Sequence, residues 1–202
     1  MPANPETRAI LENVRISFAH IFEPGGMGDK YSCDILIPKS DAANIARVNR
    51  AIAAAHKDGL DGKWAGVAPA QFKNPALKDG DGPRPNGEPH SEAYHGHLYV
   101  SAKSDSKPGV FRYVGKKIDG TPDFEPITDT TAVYSGCFCY VNVTFYAYNH
   151  KTGGKGIAVG LNDIVKIQDG EPLAGKPSIH EVMKDVEFED VNYAQPDYDD
   201  MI

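Results

Sequence analysis

Thiols and long apolar runs are scarce in this sequence. There are three cysteines in 202 residues. Cys137 and Cys139 stand two apart on an expected strand, where the geometry keeps their sulfurs too far apart for easy bonding. Three such residues make a poor disulfide framework and read as reduced, small core residues. No run approaches the roughly 20 apolar residues that a membrane helix needs. The first residues, MPANPETRAILENV, lack the basic and then apolar stretch of a secretory leader. A cytoplasmic protein without a membrane partner is expected.

Catalytic signatures are equally scarce. There is no Gly-x-Ser-x-Gly elbow. The glycine-rich segment 154–160 sits in an expected strand and does not open a helix, so it is not a phosphate loop. Its glycines are assigned to a turn (Gly154, Gly156) and to a bulge or barrel bend (Gly160). His90, Glu92, His95 and His97 cluster in the sequence and are a conceivable metal-dependent site, but their spacing matches no standard ligand pattern and no cysteine joins them. Exposed loop histidines are the simpler reading. No cofactor and no enzymatic activity are expected.

Charge is unevenly placed. Residues 181–202 contain eight acids and one base, Lys184, and so carry the whole net charge of −7. The preceding 180 residues hold 20 acids and 20 bases and are formally neutral. A segment rich in like charge has no apolar face to bury and cannot offset the entropy of ordering it. The expected organisation is therefore one domain over 1–180 followed by a flexible acidic tail over 181–202.

Strand and turn signals dominate the body. Apolar residues at helical spacing, Ile45, Val48, Ile52 and Ala55, follow a capping Ser40-Asp41 and stop at Gly59. Arg47, Arg50 and Lys57 face away from them. Strands are expected over 9–22, 30–38, 98–103, 110–114, 132–149 and 155–167, with a hairpin turn at 150–154. Residues 59–96 are dense in Gly, Pro, Asp and Asn and read as a long excursion. Within it Trp64 is either a stacking platform or, the favoured reading, a loop anchor. This pattern suits a mainly β chain with one main helix. A five-stranded Greek-key barrel of the OB-fold type is the leading architecture, with a β-sandwich as the alternative.

The segment 133–148 is the most informative. Side chains alternate between strand faces, and one parity is small or apolar: Val133, Ser135, Cys137, Cys139, Val141, Val143, Phe145, Ala147. The other carries Tyr134, Gly136, Phe138, Tyr140, Asn142, Thr144, Tyr146 and Tyr148. Tyr99 lies opposite Leu98, Val100 and Ala102 on its own strand, and Phe111 and Tyr113 punctuate 110–114. Aromatic rings bordered by Lys103, Arg112, Lys116, Lys117 and Lys151 match what single-stranded nucleic acid requires. Bases stack on rings for about 1–3 kcal/mol each, whatever their sequence, while cations follow the phosphates. Cross-strand tyrosine pairing under a covering loop is the competing explanation.

Three segments, 30–41 (KYSCDILIPKSD), 134–149 (YSGCFCYVNVTFYAYN) and 155–173 (KGIAVGLNDIVKIQDGEPL), resemble the DUF2815 family of bacteriophage single-stranded DNA-binding proteins. The resemblance covers most of residues 8–176. It implies an OB-fold, binding of single-stranded DNA with little sequence preference, an acidic C-terminal tail and work in the host bacterial cytoplasm during replication or recombination. The candidate DNA contacts come from alternation and charge: Tyr99, Phe111, Tyr113, Tyr140, Tyr146 and Tyr148 for bases, and Lys103, Arg112, Lys116, Lys117 and Lys151 for phosphates. The ending Asp197, Asp199, Asp200, Met201, Ile202 resembles the acidic-then-apolar tips by which replicative single-strand binding proteins dock on partners, without the usual penultimate Pro and terminal Phe. A strand-annealing mediator, a metal-dependent enzyme using His90, Glu92, His95 and His97, and a self-assembling virion β-protein are the rival functions. Homo-oligomeric or cooperative assembly on DNA is compatible with either nucleic-acid reading.

Overall fold

The computed structural model describes residues 4–25, 28–84 and 86–173. Its elements are β1 (Arg8–Gly25), β2 (Lys30–Pro38), α1 (Ala42–Asp61), β3 (Lys78–Asp79), β4 (His97–Ser104), β5 (Gly109–Lys116), β6 (Pro122–Pro126), β7 (Phe138–His150) and β8 (Gly154–Gln168). Alternate apolar residues on five of these strands turn inward together. Leu11, Ile16, Ile35, Ile37, Val100, Val141, Val143, Phe145 and Ile164 share one core.

Hydrogen bonding runs β4-β2-β1-β7-β8, and the ring closes where Lys103 of β4 meets Gly160 of β8 in parallel register. Strand order around the ring is not chain order, and closure removes the free edges that an open sheet would expose. This is the expected OB-fold. The β5–β6 hairpin is an appendage, attached because β5 runs parallel to β8 from Gly109↔Asp163 to Arg112↔Lys166.

The helix starts where its cap dictates. The Asp41 carboxylate accepts from the Asn44 backbone N–H at 3.0 Å, satisfying one of the free donors of the first turn. Val48, Ala51 and Ala55 pack on the barrel. Asn44, 2% exposed, has a second task. Its side chain accepts from Glu12 N–H (3.0 Å) and donates to Glu12 C=O (2.8 Å). Glu12 lies in a β1 bulge, where the register with β7 shifts between Leu11 and Val14. Asn13 adopts φ 50° there, a left-handed conformation that Asn tolerates better than most residues. The bulge lets Leu11 and Val14, three apart, both face inward, and Asn44 takes up the backbone groups that the ladder leaves.

The excursion after α1 is anchored by Trp64. The indole is 1% exposed, packs near Phe72 and His56, and lies over Gly59, where a Cβ would overlap the ring. The loop-anchor reading of Trp64 is correct. Farther along, Tyr94 and Tyr99 bury Leu36 in a second small cluster.

Several boundaries moved. The helix runs two residues past Gly59, to Asp61. The strand expected from residue 132 begins at Phe138, because Gly136, at φ 124°, turns the chain just before it. Strands β3 and β6 were not anticipated. The former is only two residues long, and prolines bound the latter. The expected tail over 181–202, with Asp197, Asp199, Asp200, Met201 and Ile202, lies outside the described residues.

Candidate nucleic-acid interface

Strand parity survives intact on β7. Cys139, Val141, Val143 and Phe145 are fully buried, whereas Tyr140 and Tyr146 are 40% and 46% exposed on the outer face. Six residues at about 3.3 Å each set these two rings about 20 Å apart along one strand. Between them Asn162 Nδ2 donates to Thr144 Oγ1 at 2.9 Å, fixing the polar part of the row.

The neighbouring strand accommodates Tyr146 and Tyr148 by having small residues opposite them. Tyr146 faces Ala158, and Tyr148 faces Gly156. A Cβ at Gly156 would overlap the Tyr148 ring, so this glycine serves the tyrosine as well as the adjacent turn. At Gly154, φ is 72°, as the turn requires. Gly160 lies near the Tyr146 ring and forms the barrel closure.

At the Tyr140 end the face becomes a groove of about 420 Å³ between the barrel and the β5–β6 hairpin. Tyr140, Phe111, Phe124, Ile10 and Val165 supply apolar walls, and Asn142 and Asp163 the polar part. Tyr140 and Phe111 are both opposite Val165, on its two sides. Tyr113 stands beside Phe124 on the hairpin, rings at 61° and centroids 6.0 Å apart. Exposed aromatics arranged in this way offer π faces to planar ligands.

Other candidates are placed differently. Tyr99 shares the outward parity of Ser101 and Lys103, yet it is only 5% exposed, in edge contact with Tyr94 (5.1 Å) and with Lys78 over its ring. Burial and the nearby Asp34 carboxylate push its phenol pKa up. Its ring packs against the excursion.

The cations also divide. Arg112 is engaged by Glu125 on β6, Nη2 to Oε2 at 2.7 Å. Lys117 approaches Asp123 at 3.8 Å. Lys103 lines a different hollow with Phe18, His20, Lys30 and Asp34. There Lys30 pairs with Asp105 at 2.9 Å, and that hydrogen bond raises its pKa. Lys116 and Lys151 are exposed and make no ion pair among the described residues. Lys166 is structural. It donates to Ala132 C=O (2.6 Å) and to Asp169 (2.7 Å), close to Tyr134, whose phenol pKa is pushed up to about 12 by desolvation and its hydrogen bond to Asp169.

The histidine cluster does not converge. His90 stacks on Tyr94 at 4.9 Å, and the His97 ring hydrogen-bonds to His95 C=O. Among the described residues no three His, Cys, Asp or Glu side chains are grouped to hold a metal.

Residues that alternation did not reveal are Ile10, Phe124, Asp163 and Val165; Asn142 was already on the outward parity of its strand. Ile10, an apolar residue at an outward position between Ala9 and Leu11, was a detectable signal. Phe124 was not, since it lies in a short strand between prolines.

Residues 7–193 match the family described as Enterobacter phage Enc34, ssDNA-binding protein. The chain belongs to this family. It is also 30% identical over 200 residues to protein p50 of Acyrthosiphon pisum secondary endosymbiont phage 1, an alignment covering 92% of this chain and 94% of that one. In three dimensions it resembles the single-stranded DNA-binding protein from bacteriophage Enc34 in complex with ssDNA. The TM-score is 0.65 at 24% identity, over 83% of this chain and 90% of the other. Gp2.5, a single-stranded DNA binding protein encoded by bacteriophage T7, shares the fold at TM-score 0.52 and 14% identity, covering 93% of this chain and 100% of that one.

Proposed function

We propose that this chain binds and coats single-stranded DNA with little sequence preference, without enzymatic activity, during phage replication or recombination in the host cytoplasm. The observation that carries the reading is the outward row of Tyr140 and Tyr146, continuing into the Phe111–Phe124 groove, in a member of a single-stranded DNA-binding family. Rings exposed on a strand whose other face is fully buried contribute nothing to the core, and they suit stacking at about 1–3 kcal/mol per base. Tyr148, Tyr113 and Phe111 extend the platform.

Lys116, Lys151 and Lys103 take the phosphates. Arg112 and Lys117 join them by exchanging Glu125 and Asp123 for DNA, which lowers their net contribution. The acidic residues of 181–202 compete with DNA for these cations, and Asp197, Asp199, Asp200, Met201 and Ile202 recruit replication or recombination proteins.

Titration of labelled oligothymidine across a salt series, with duplex as control, tests the reading. Single strands should bind more tightly, and log affinity should fall with log salt by about 0.7 per phosphate neutralised. Absence of single-strand binding, or equal affinity for duplex, overturns it. Deleting 181–202 should tighten binding at moderate salt; unchanged or weaker affinity eliminates the competition model.

A further inference from the structure

The aromatic groove contains a carboxylate, an unexpected group where a polyanion is to lie. Asp163 sits on β8 opposite Asn142 of β7 and beside Gly109 of β5. Its Oδ2 accepts from Asn142 Nδ2 at 2.8 Å, and Asn142 Oδ1 in turn accepts from Asn162 Nδ2 at 3.3 Å. Its Oδ1 points over Gly109, where a Cβ would come within 2.7 Å. Among the described residues, Oδ1 accepts no hydrogen bond and Asp163 has no cationic partner. Between Phe111, Phe124, Tyr140 and Ile10, Oδ1 is thus an acceptor open to a donor from a ligand in the groove. If the groove served only stacking, an apolar or amide residue would do better here.

A stacked base brings its edge to this floor. Cytosine and adenine carry exocyclic amino groups, each with two N–H donors. Thymine and uracil offer one ring N–H flanked by two carbonyl oxygens, whose lone pairs would oppose the carboxylate. Beside Asp163, the second N–H of Asn142 is available for the acceptor ring nitrogen adjoining the amino group. The resulting acceptor–donor pair matches cytosine and adenine edges.

We propose that Asp163, with Asn142, makes this groove a subsite that favours amino-bearing bases over thymine and uracil. The coat is then tolerant along most of its track and biased at one position. The inference rests on the single-stranded DNA reading and adds to it the chemistry of one base pocket.

Twelve-residue oligodeoxycytidine and oligodeoxyuridine provide the test, because their bases differ only at the edge in question. Binding is measured at pH 7.5, where cytosine is neutral, for the full chain, Asp163→Asn and Asn142→Ala, each checked for an unchanged melting temperature. The unaltered chain should prefer deoxycytidine by about five- to tenfold, the scale of one base-edge contact. Asp163→Asn should bring the ratio to about one or below, while Asn142→Ala retains part of the preference. If both oligomers bind the unaltered chain equally, or the preference persists in Asp163→Asn, the subsite is refuted while the DNA reading stands. Equal tightening of both oligomers in Asp163→Asn also refutes it, since the carboxylate would then merely repel phosphate. If neither oligomer binds, the DNA reading itself fails.

Discussion

The indole N–H of Trp64 donates to the backbone carbonyl of Tyr148 at 2.8 Å. This bond ties the loop after α1 to the C-terminal end of β7, the strand that displays the outward tyrosines. Lys155 reinforces the same junction by donating to Trp64 C=O at 3.0 Å. Trp64→Ala should lower stability by about 3–5 kcal/mol, through loss of a buried aromatic side chain. Denaturant titration followed by circular dichroism measures it. Because Trp64 is the only tryptophan in the chain, its emission in the unaltered protein should red-shift in the same transition.

Outward and covered tyrosines should separate cleanly. Tyr140→Ala and Tyr146→Ala should each weaken oligothymidine binding by about 1–3 kcal/mol, with melting temperatures nearly unchanged. Tyr99→Ala should behave in the opposite way, lowering stability with little direct effect on DNA affinity. Fluorescence anisotropy and thermal melts on all three check this. Unchanged affinity in both Tyr140→Ala and Tyr146→Ala removes the proposed face.

Asn44 is a small residue with a large expected effect. Asn44→Ala strips partners from both the N–H and the C=O of Glu12. Leaving these part-buried groups unsatisfied costs about 1–3 kcal/mol. The loss should show in chemical denaturation, and backbone amide exchange should accelerate first around the β1 bulge.

Acid should loosen the excursion before the barrel. Hydrogen bonds from Lys39 hold the Asp79 and Asp81 carboxyls below their usual range, and Asp81 also accepts from Gly96 N–H at 2.9 Å. Groups with depressed folded pKa values stabilise above the unfolded value, about 3.9, and lose that contribution as pH falls through the folded one. Proteolysis by an acid-active protease should therefore cut between residues 79 and 96 more readily as pH drops below about 4. Lys39→Ala should bring the same susceptibility to higher pH.

The barrel was legible because alternation is a local property. From Cys139 to Ala147, every second residue is small or apolar, and all of these are buried. The helix was legible for the same reason, with Asp41 at its start. Tyr99 was not, because its cover comes from Tyr94 and His90 across an irregular loop that has no periodicity. The groove was only half legible. Phe111 and Tyr140 announce themselves as aromatic residues on strands, but Ile10 and Asp163 reach it through pairings that join distant parts of the chain. Charge was the least legible property. Composition counts Arg112 as a free cation, and only the pairing of β5 with β6 shows Glu125 beside it.

The pairing of β1 with β7 also constrains how this protein is made. Arg8 bonds in register with Thr144, so β1 leaves the ribosome long before the strand that pairs with it. Barrel closure by β4 and β8 likewise awaits Gly160. Folding should therefore await synthesis of β8 and be slow, as non-local strand pairing generally is. Until then the apolar β1 segment is exposed to aggregation or to chaperone capture. Fusing a translation-arrest sequence after residue 120 should yield nascent chains that are uniformly protease-sensitive, whereas protection should appear once β8 has cleared the exit tunnel.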